Sequence, residues 1–131
     1  MSDGFGWVSV KAYTLLYTWE EARIKCSQDG TDGVKAELAS PRSSTENEWF
    51  VNKADQLGLG IFWLGVNDKI NEGAWKTQHG LSQSYFNWHG GQPESIFKND
   101  DCVGTNGKWG FNWNDYYCTS KLELLCTYVQ R

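Results

Sequence analysis

Five oxygen-bearing side chains gather in the last third of the chain. Gln92 and Glu94 lie in the stretch GGQPESIFKNDDC, which also holds Asp100; Asn114 and Asp115 lie in WND, shortly before Cys118. They supply three carboxylates and two amide carbonyls. Calcium takes about six to eight oxygen ligands and tolerates irregular geometry. Three negative charges suit a divalent cation without great excess. Zinc and softer metals want imidazole or free thiolate, and neither is conveniently placed. Any one of these residues alone reads as a solvated loop residue. The five together, bracketing Cys102 and Cys118, read as a metal site, because a bond between those cysteines would draw its two halves together.

Catalysis has little to stand on. The only histidines, His79 and His89, have no serine or cysteine nucleophile beside them, and no glycine-rich phosphate loop occurs. Paired carboxylates can act on a glycosidic bond, but here they are clustered with amides, which make poor general acids and good metal ligands. The chain is therefore not read as an enzyme. Its 12 basic against 16 acidic residues, a net charge of −4, exclude a nucleic-acid phosphate backbone as partner.

Such a site needs a scaffold, and 131 residues make one domain, 1–131, able to bury a real core. WVSVKAYTLLY reads as a strand. Thr18 then caps a helix WEEARIKC, with Glu21 at the spacing of a capping box and Trp19, Ala22 and Cys26 on one face. A second helix, within SSTENEWFVNKADQLG, is capped by Ser44 or Thr45, turns Trp49, Phe50, Ala54 and Leu57 inward, and ends at Gly58. IFWLGV is a short buried strand, and a turn precedes Trp75. Residues 77–101 show almost no periodicity, a long loop of the kind that is often functional. Asn106-Gly107 is a hairpin-type turn, and LELLCTYV closes the chain as a strand. Helices first and strands later make an α+β domain. Eight tryptophans suit a loop-rich mixed fold with some of them in a binding surface.

Four cysteines, none in a CxxC pair, point to disulfides and an oxidising, extracellular setting. Of three connectivities the nested one is preferred: Cys26–Cys126 around Cys102–Cys118. No apolar run approaches a membrane span. The opening MSDGFGWVSV lacks the basic start and apolar stretch of a secretory signal and is read as the start of a mature chain.

Taken together, TWEEARIKC, AELASPRSSTENEWF, FWLGVNDKINEGAW, QPE, DDC, WNDYYC and the final LLC resemble the C-type lectin-like domain across nearly the whole chain. The cysteines fit its short form with the nested pairing. The resemblance implies a fold of two helices, small antiparallel sheets and a long calcium-binding loop. In calcium-dependent members two adjacent sugar hydroxyls complete the ion's coordination shell, and the same protein side chains hydrogen-bond those hydroxyls. Position by position, Gln92 and Glu94 match the family's EPN or QPD tripeptide, Asp100 the acid before the cysteine, and Asn114 and Asp115 the WND pair. Asp115 is expected to ligate through its backbone carbonyl as well. The peptide bond before Pro93 is expected to be cis, as in the family.

QPE departs from both patterns. Its order, amide first and carboxylate third, follows the galactose-type QPD, but Glu94 is one methylene longer than aspartate. The implied function is a secreted, calcium-dependent lectin for galactose-type glycans, with Gln92, Glu94, Asp100 and Asn114 contacting sugar. Phe97, Trp109 and Phe111 are candidates to stack on its apolar face, and Trp88 is placed in the core. Asp68 and Glu72 match acids that hold an auxiliary ion in some members; Ser95 stands where another acid is expected. Weak single-site binding favours a noncovalent homodimer. The rival reading, from a different class, is a protein-binding or ice-binding module that kept the fold and lost the sugar site.

Overall fold

The computed structural model describes residues 7–30, 34–71, 73–88, 101–106 and 112–130. In chain order the elements are β1 (Trp7–Tyr17), α1 (Trp19–Gln28), β2 (Val34–Leu38), α2 (Ser44–Gln56), β3 (Ile61–Asn67), β4 (Asp101–Asn106), β5 (Asn112–Tyr117) and β6 (Leu122–Gln130). The α+β class and both disulfides, Cys26–Cys126 and Cys102–Cys118, are as expected.

Local chemistry sets the helix ends. At α1 the Thr18 hydroxyl accepts the Glu21 N–H while the Glu21 carboxylate accepts the Thr18 N–H, a complete capping box. At α2 the cap is Ser43, one residue earlier than expected, and its hydroxyl accepts the Glu46 N–H at 3.2 Å. Gly58 follows the helix with φ 78°, a left-handed conformation that costs glycine little. Leu57 does not turn inward: it is 46% exposed at the helix end, and Leu59 is buried beyond the turn instead. The inward face of α2 is Glu46, Asn47, Phe50 and Ala54, with Trp49 only partly buried beside it.

The strands join one six-stranded sheet rather than separate small ones, in the order β1-β6-β3-β4-β5, with β2 also on β6. β6 pairs with β1 along its length. Its second half pairs antiparallel with β2 (Leu38 opposite Cys126), and its first half pairs parallel with β3 (Trp63 opposite Leu124). That parallel pairing joins two strands far apart in sequence, which local patterning does not reveal.

β3 explains the two-sided core. Strand side chains alternate between faces, so Phe62, Leu64 and Val66 join Phe50 and Ala54 of α2 on one side. Trp63 joins Trp19, Ala22 and Cys26 of α1 on the other. The buried indoles are satisfied: Trp19 Nε1 donates to the Leu64 carbonyl at 2.8 Å and Trp63 Nε1 to the Tyr17 carbonyl at 2.7 Å. Gly65 lies under segment 38–40. A Cβ there would come within 2.7 Å of Ser40 Oγ and 3.3 Å of the Leu38 carbonyl, so the close crossing requires glycine.

Candidate functional site: the β4–β5 ladder

WND lies on β5, which pairs with β4 in register: Asn114 opposite Gly104, Asp115 opposite Val103. Trp113 is fully buried, and its Nε1 donates to Asn47 Oδ1 on α2 at 3.1 Å. Tyr85, Phe86 and Trp88 surround its ring, at centroid separations of 5.6, 6.3 and 6.0 Å. Trp113 N–H donates to the Asn87 carbonyl at 2.8 Å, and Trp88 bridges Trp113 as a parallel neighbour. Trp88 therefore packs against the core, as expected.

This arrangement matters for the loop donors. Gln92, Glu94 and Asp100 lie outside the described residues, as do the stacking candidates Phe97, Trp109 and Phe111, the Pro93 bond and the turn at Asn106-Gly107 beyond its first residue. The described residues flanking 89–100 are both tied to β5. Trp88 enters beside Trp113, and Asp101 re-enters opposite Tyr117, so the two anchors bracket Asn114 and Asp115 along one strand. The Cys102–Cys118 bond closes the same end of the ladder.

Alternation along β5 sends neighbouring side chains to opposite faces. Trp113 enters the α2-side core, whereas Tyr116 packs with the α1-side cluster, its ring edge-on to Trp63 at 6.0 Å. Asn114 shares a face with Tyr116. Asn114 Oδ1 is buried and has no hydrogen-bond partner among the described residues. A buried carbonyl oxygen left unmatched is costly, and a hard oxygen donor is what calcium selects. On this test Asn114 fits the ion the family implies. Asp115 faces the other way, so its side chain and Asn114 Oδ1 do not point together from the strand. The tyrosine beyond them is perturbed: burial pushes the Tyr116 phenol upward, a side-chain hydrogen bond from Asn114 pulls it back, and the Asp115 charge pushes it up again.

Asp68 is buried and occupied structurally. Oδ1 accepts the Asp101 N–H at 3.1 Å and Oδ2 the Gly73 N–H at 2.9 Å, while its own N–H donates to the Asp101 carbonyl at 3.1 Å. It clamps the turn after β3 to the start of β4. Glu72 lies outside the described residues. Among the described residues no three His, Cys, Asp or Glu side chains form a cluster able to hold a metal. Sequence reasoning missed the buried partner Asp101 and the glycine facing Asn114. A Cβ at Gly104 would lie 2.8 Å from Leu122 Cδ1 and 3.0 Å from Tyr116 Cε2. The signal for both was the DDCVG run, legible only once β4 is paired.

A second concavity, about 380 Å³, opens between α1, β2 and the turn at Gln78 and His79. Several of its polar side chains are paired locally. Arg23 pairs with Glu20, His79 contacts Glu37 at 2.5 Å, and Gln78 Oε1 accepts the Leu38 N–H at 2.8 Å.

Residues 16–128 match the family described as the Lectin C-type domain, and the chain belongs to that family. A relative named "C-type lectin" from Cerberus rynchops is 31% identical over 112 residues, 85% of this chain and 70% of that protein. Among solved structures, the C-type lectin CEL-I from Cucumaria echinata superposes with a TM-score of 0.82 at 25% identity, covering 96% of each chain. A protein titled a calcium-independent type II antifreeze protein shares the fold, with a TM-score of 0.78 at 22% identity over 96% of this chain and 93% of its own. Among the described residues no helix is long and apolar enough to cross a membrane.

Proposed function

We propose that the chain is a calcium-dependent carbohydrate-binding domain, secreted and without enzymatic activity, that prefers galactose-type glycans. The observation that carries the calcium reading is the buried, unmatched Asn114 Oδ1 on β5, between the two anchors of the segment bearing Gln92, Glu94 and Asp100. The fold alone would not carry it, since a protein titled calcium-independent shares that fold. Bound calcium would supply a positive centre for two adjacent sugar hydroxyls. Asn114 offers Oδ1 to the ion and retains amide N–H donors for a hydroxyl. Gln92, Glu94, Asp100 and the backbone carbonyl of Asp115, whose side chain leaves the strand on the other face, make up the rest of the oxygen set. Phe97, Trp109 and Phe111 are the stacking candidates, and Asp68 with Glu72 the candidate auxiliary pair.

The galactose preference rests on the order of QPE, amide first and carboxylate third. With both disulfides inside the chain, a dimer that raised avidity would be noncovalent. The Glu94 departure also supports a second reading: a protein-binding or ice-binding module that no longer holds sugar. Calorimetric titration with galactose and with mannose, each in calcium and in excess EDTA, separates the two. The lectin reading expects calcium-dependent heat with galactose exceeding that with mannose. Heat with neither sugar would leave the second reading standing.

A further inference from the structure

The two halves of the candidate site are far apart in sequence, yet both lead back to the first turn of α2. That turn is well fixed. The Ser43 hydroxyl accepts the Glu46 N–H at 3.2 Å, the Ser43 carbonyl accepts the Asn47 N–H at 2.9 Å, and Glu46 Oε1 accepts the Arg42 N–H at 2.9 Å. Asn47 therefore carries its buried amide on a firm base.

From that base Asn47 meets β5. An indole N–H can only donate, so the amide atom 3.1 Å from Trp113 Nε1 is the oxygen, Oδ1. An apolar cage sets the plane of a flat ring but not the direction of its one polar atom; a hydrogen bond sets that direction too. Two things depend on the resulting pose. Asn114 is the next residue along the strand. Trp88, which immediately precedes residues 89–100, stands edge-on to the indole at 6.0 Å and 84°, and the Trp113 N–H donates to the Asn87 carbonyl at 2.8 Å. The approach to Trp88 is tied to the same helix start. Gln83 is buried, and its Nε2 donates to the Pro41 carbonyl at 2.5 Å and to the Tyr85 carbonyl at 2.9 Å.

We propose that Asn47 is a positioning residue for the calcium site: by holding Trp113 Nε1 it sets where β5 presents Asn114 and how the chain enters residues 89–100 at Trp88. This inference rests on the calcium reading above, and its test tells the two apart.

The test is a double-mutant cycle of Asn47→Leu and Trp113→Phe in the full chain, with calcium alone as the probe in calorimetry. Two metal-free readouts in EDTA accompany it: the melting temperature and hydrogen exchange at the residue 113 amide. Asn47→Leu keeps the side-chain size and removes the acceptor. It is expected to weaken calcium binding about three- to tenfold, less than the loss typical of a group that touches a metal ligand directly, and to speed exchange at residue 113. Trp113→Phe is expected to weaken binding at least as much. The double variant strands neither polar group, so its melting temperature should rise above that of Trp113→Phe. Its calcium affinity should nonetheless stay as low as in Trp113→Phe, and its exchange as fast, because nothing sets the pose of the ring. A merely structural role would not produce that split. If Asn47→Leu alone does not fold, the double variant decides. Native affinity in Asn47→Leu, or affinity regained together with stability in the double variant, would overturn the proposal and leave the calcium reading intact. Losses that add in full would show that Asn47 does not act through Trp113 and would overturn it as well. If the unsubstituted chain binds no calcium, the calcium reading fails and the proposal fails with it.

Discussion

Trp113→Phe tests how the core sets the site strand. Trp113 is fully buried, and its Nε1 is the donor to Asn47 Oδ1 on a helix residue that is itself 6% exposed. Phenylalanine keeps most of the ring inside the Tyr85, Phe86 and Trp88 cage but removes the donor and part of the volume. Lost contact and residual cavity should cost roughly 1–2 kcal/mol. Stranding the Asn47 oxygen away from water should cost about 1–3 kcal/mol more. The expected total, about 3 kcal/mol, corresponds to a fall in Tm of roughly 11 °C for a chain of 131 residues. Urea unfolding with disulfides intact is the assay, with an unchanged slope as the sign that only stability moved. Adding Asn47→Leu removes the stranded acceptor, so the double variant should recover about 1–2 kcal/mol over Trp113→Phe alone. A double variant no more stable than the single one would refute the claim that the Trp113–Asn47 bond, rather than ring volume, carries the penalty.

Other outcomes follow from the same structure. Replacing Cys102 and Cys118 together by alanine opens a loop of sequence separation 16, worth about 3 kcal/mol in the chain-entropy account, and the loss should be visible as a lower urea midpoint. Ser43→Ala should cost about 1 kcal/mol by removing the cap that accepts Glu46 N–H, measured in the same unfolding assay. Burial, then the hydrogen bond to Asp29 and its charge, push the Tyr13 phenol up to about 12. The unfolded chain ionises near pH 10 while the folded one holds its proton, so this contribution is intact below pH 10 and is lost as pH rises toward 12. Tyr13→Phe should flatten the decline of stability over that window. Asn114→Ala should abolish calcium binding in calorimetry, whereas Glu94→Asp should keep galactose binding.

How much of this was legible depended on how local the cause was. Thr18 and Glu21 are three residues apart and set the start of α1 by themselves, so the sequence reveals that boundary. The same is true of Gly58, whose left-handed φ follows from the lack of a Cβ. β2 was not read as a strand. Val34–Leu38 alternates, but it is only five residues long and is stabilised by pairing with Thr127–Gln130 and Cys126, almost a chain length away. Leu57 was misplaced because helical periodicity carries on past the point where the cap turns the chain. Asn47 was missed as an inward residue because its partner is tertiary: Trp113 reaches it from β5. Glu46 was missed although its partner is local: Arg42, four residues before it, contacts it at 3.0 Å, and a charged residue at the start of a helix reads as solvated. At the site, residue types alone picked out Asn114 and Asp115. That Asn114 keeps an unmatched buried oxygen, and that Tyr116 and Gly104 stand around it, needed the β4–β5 register.

The most direct measurement of the central claim is a crystal structure of the chain grown with calcium and galactose. The account expects an ion about 2.3–2.6 Å from Asn114 Oδ1, two adjacent galactose hydroxyls in the same shell, and Gln92 and Glu94 among the remaining oxygens. A structure at saturating calcium in which Asn114 Oδ1 touches no cation, or in which the sugar binds away from β5, would contradict it.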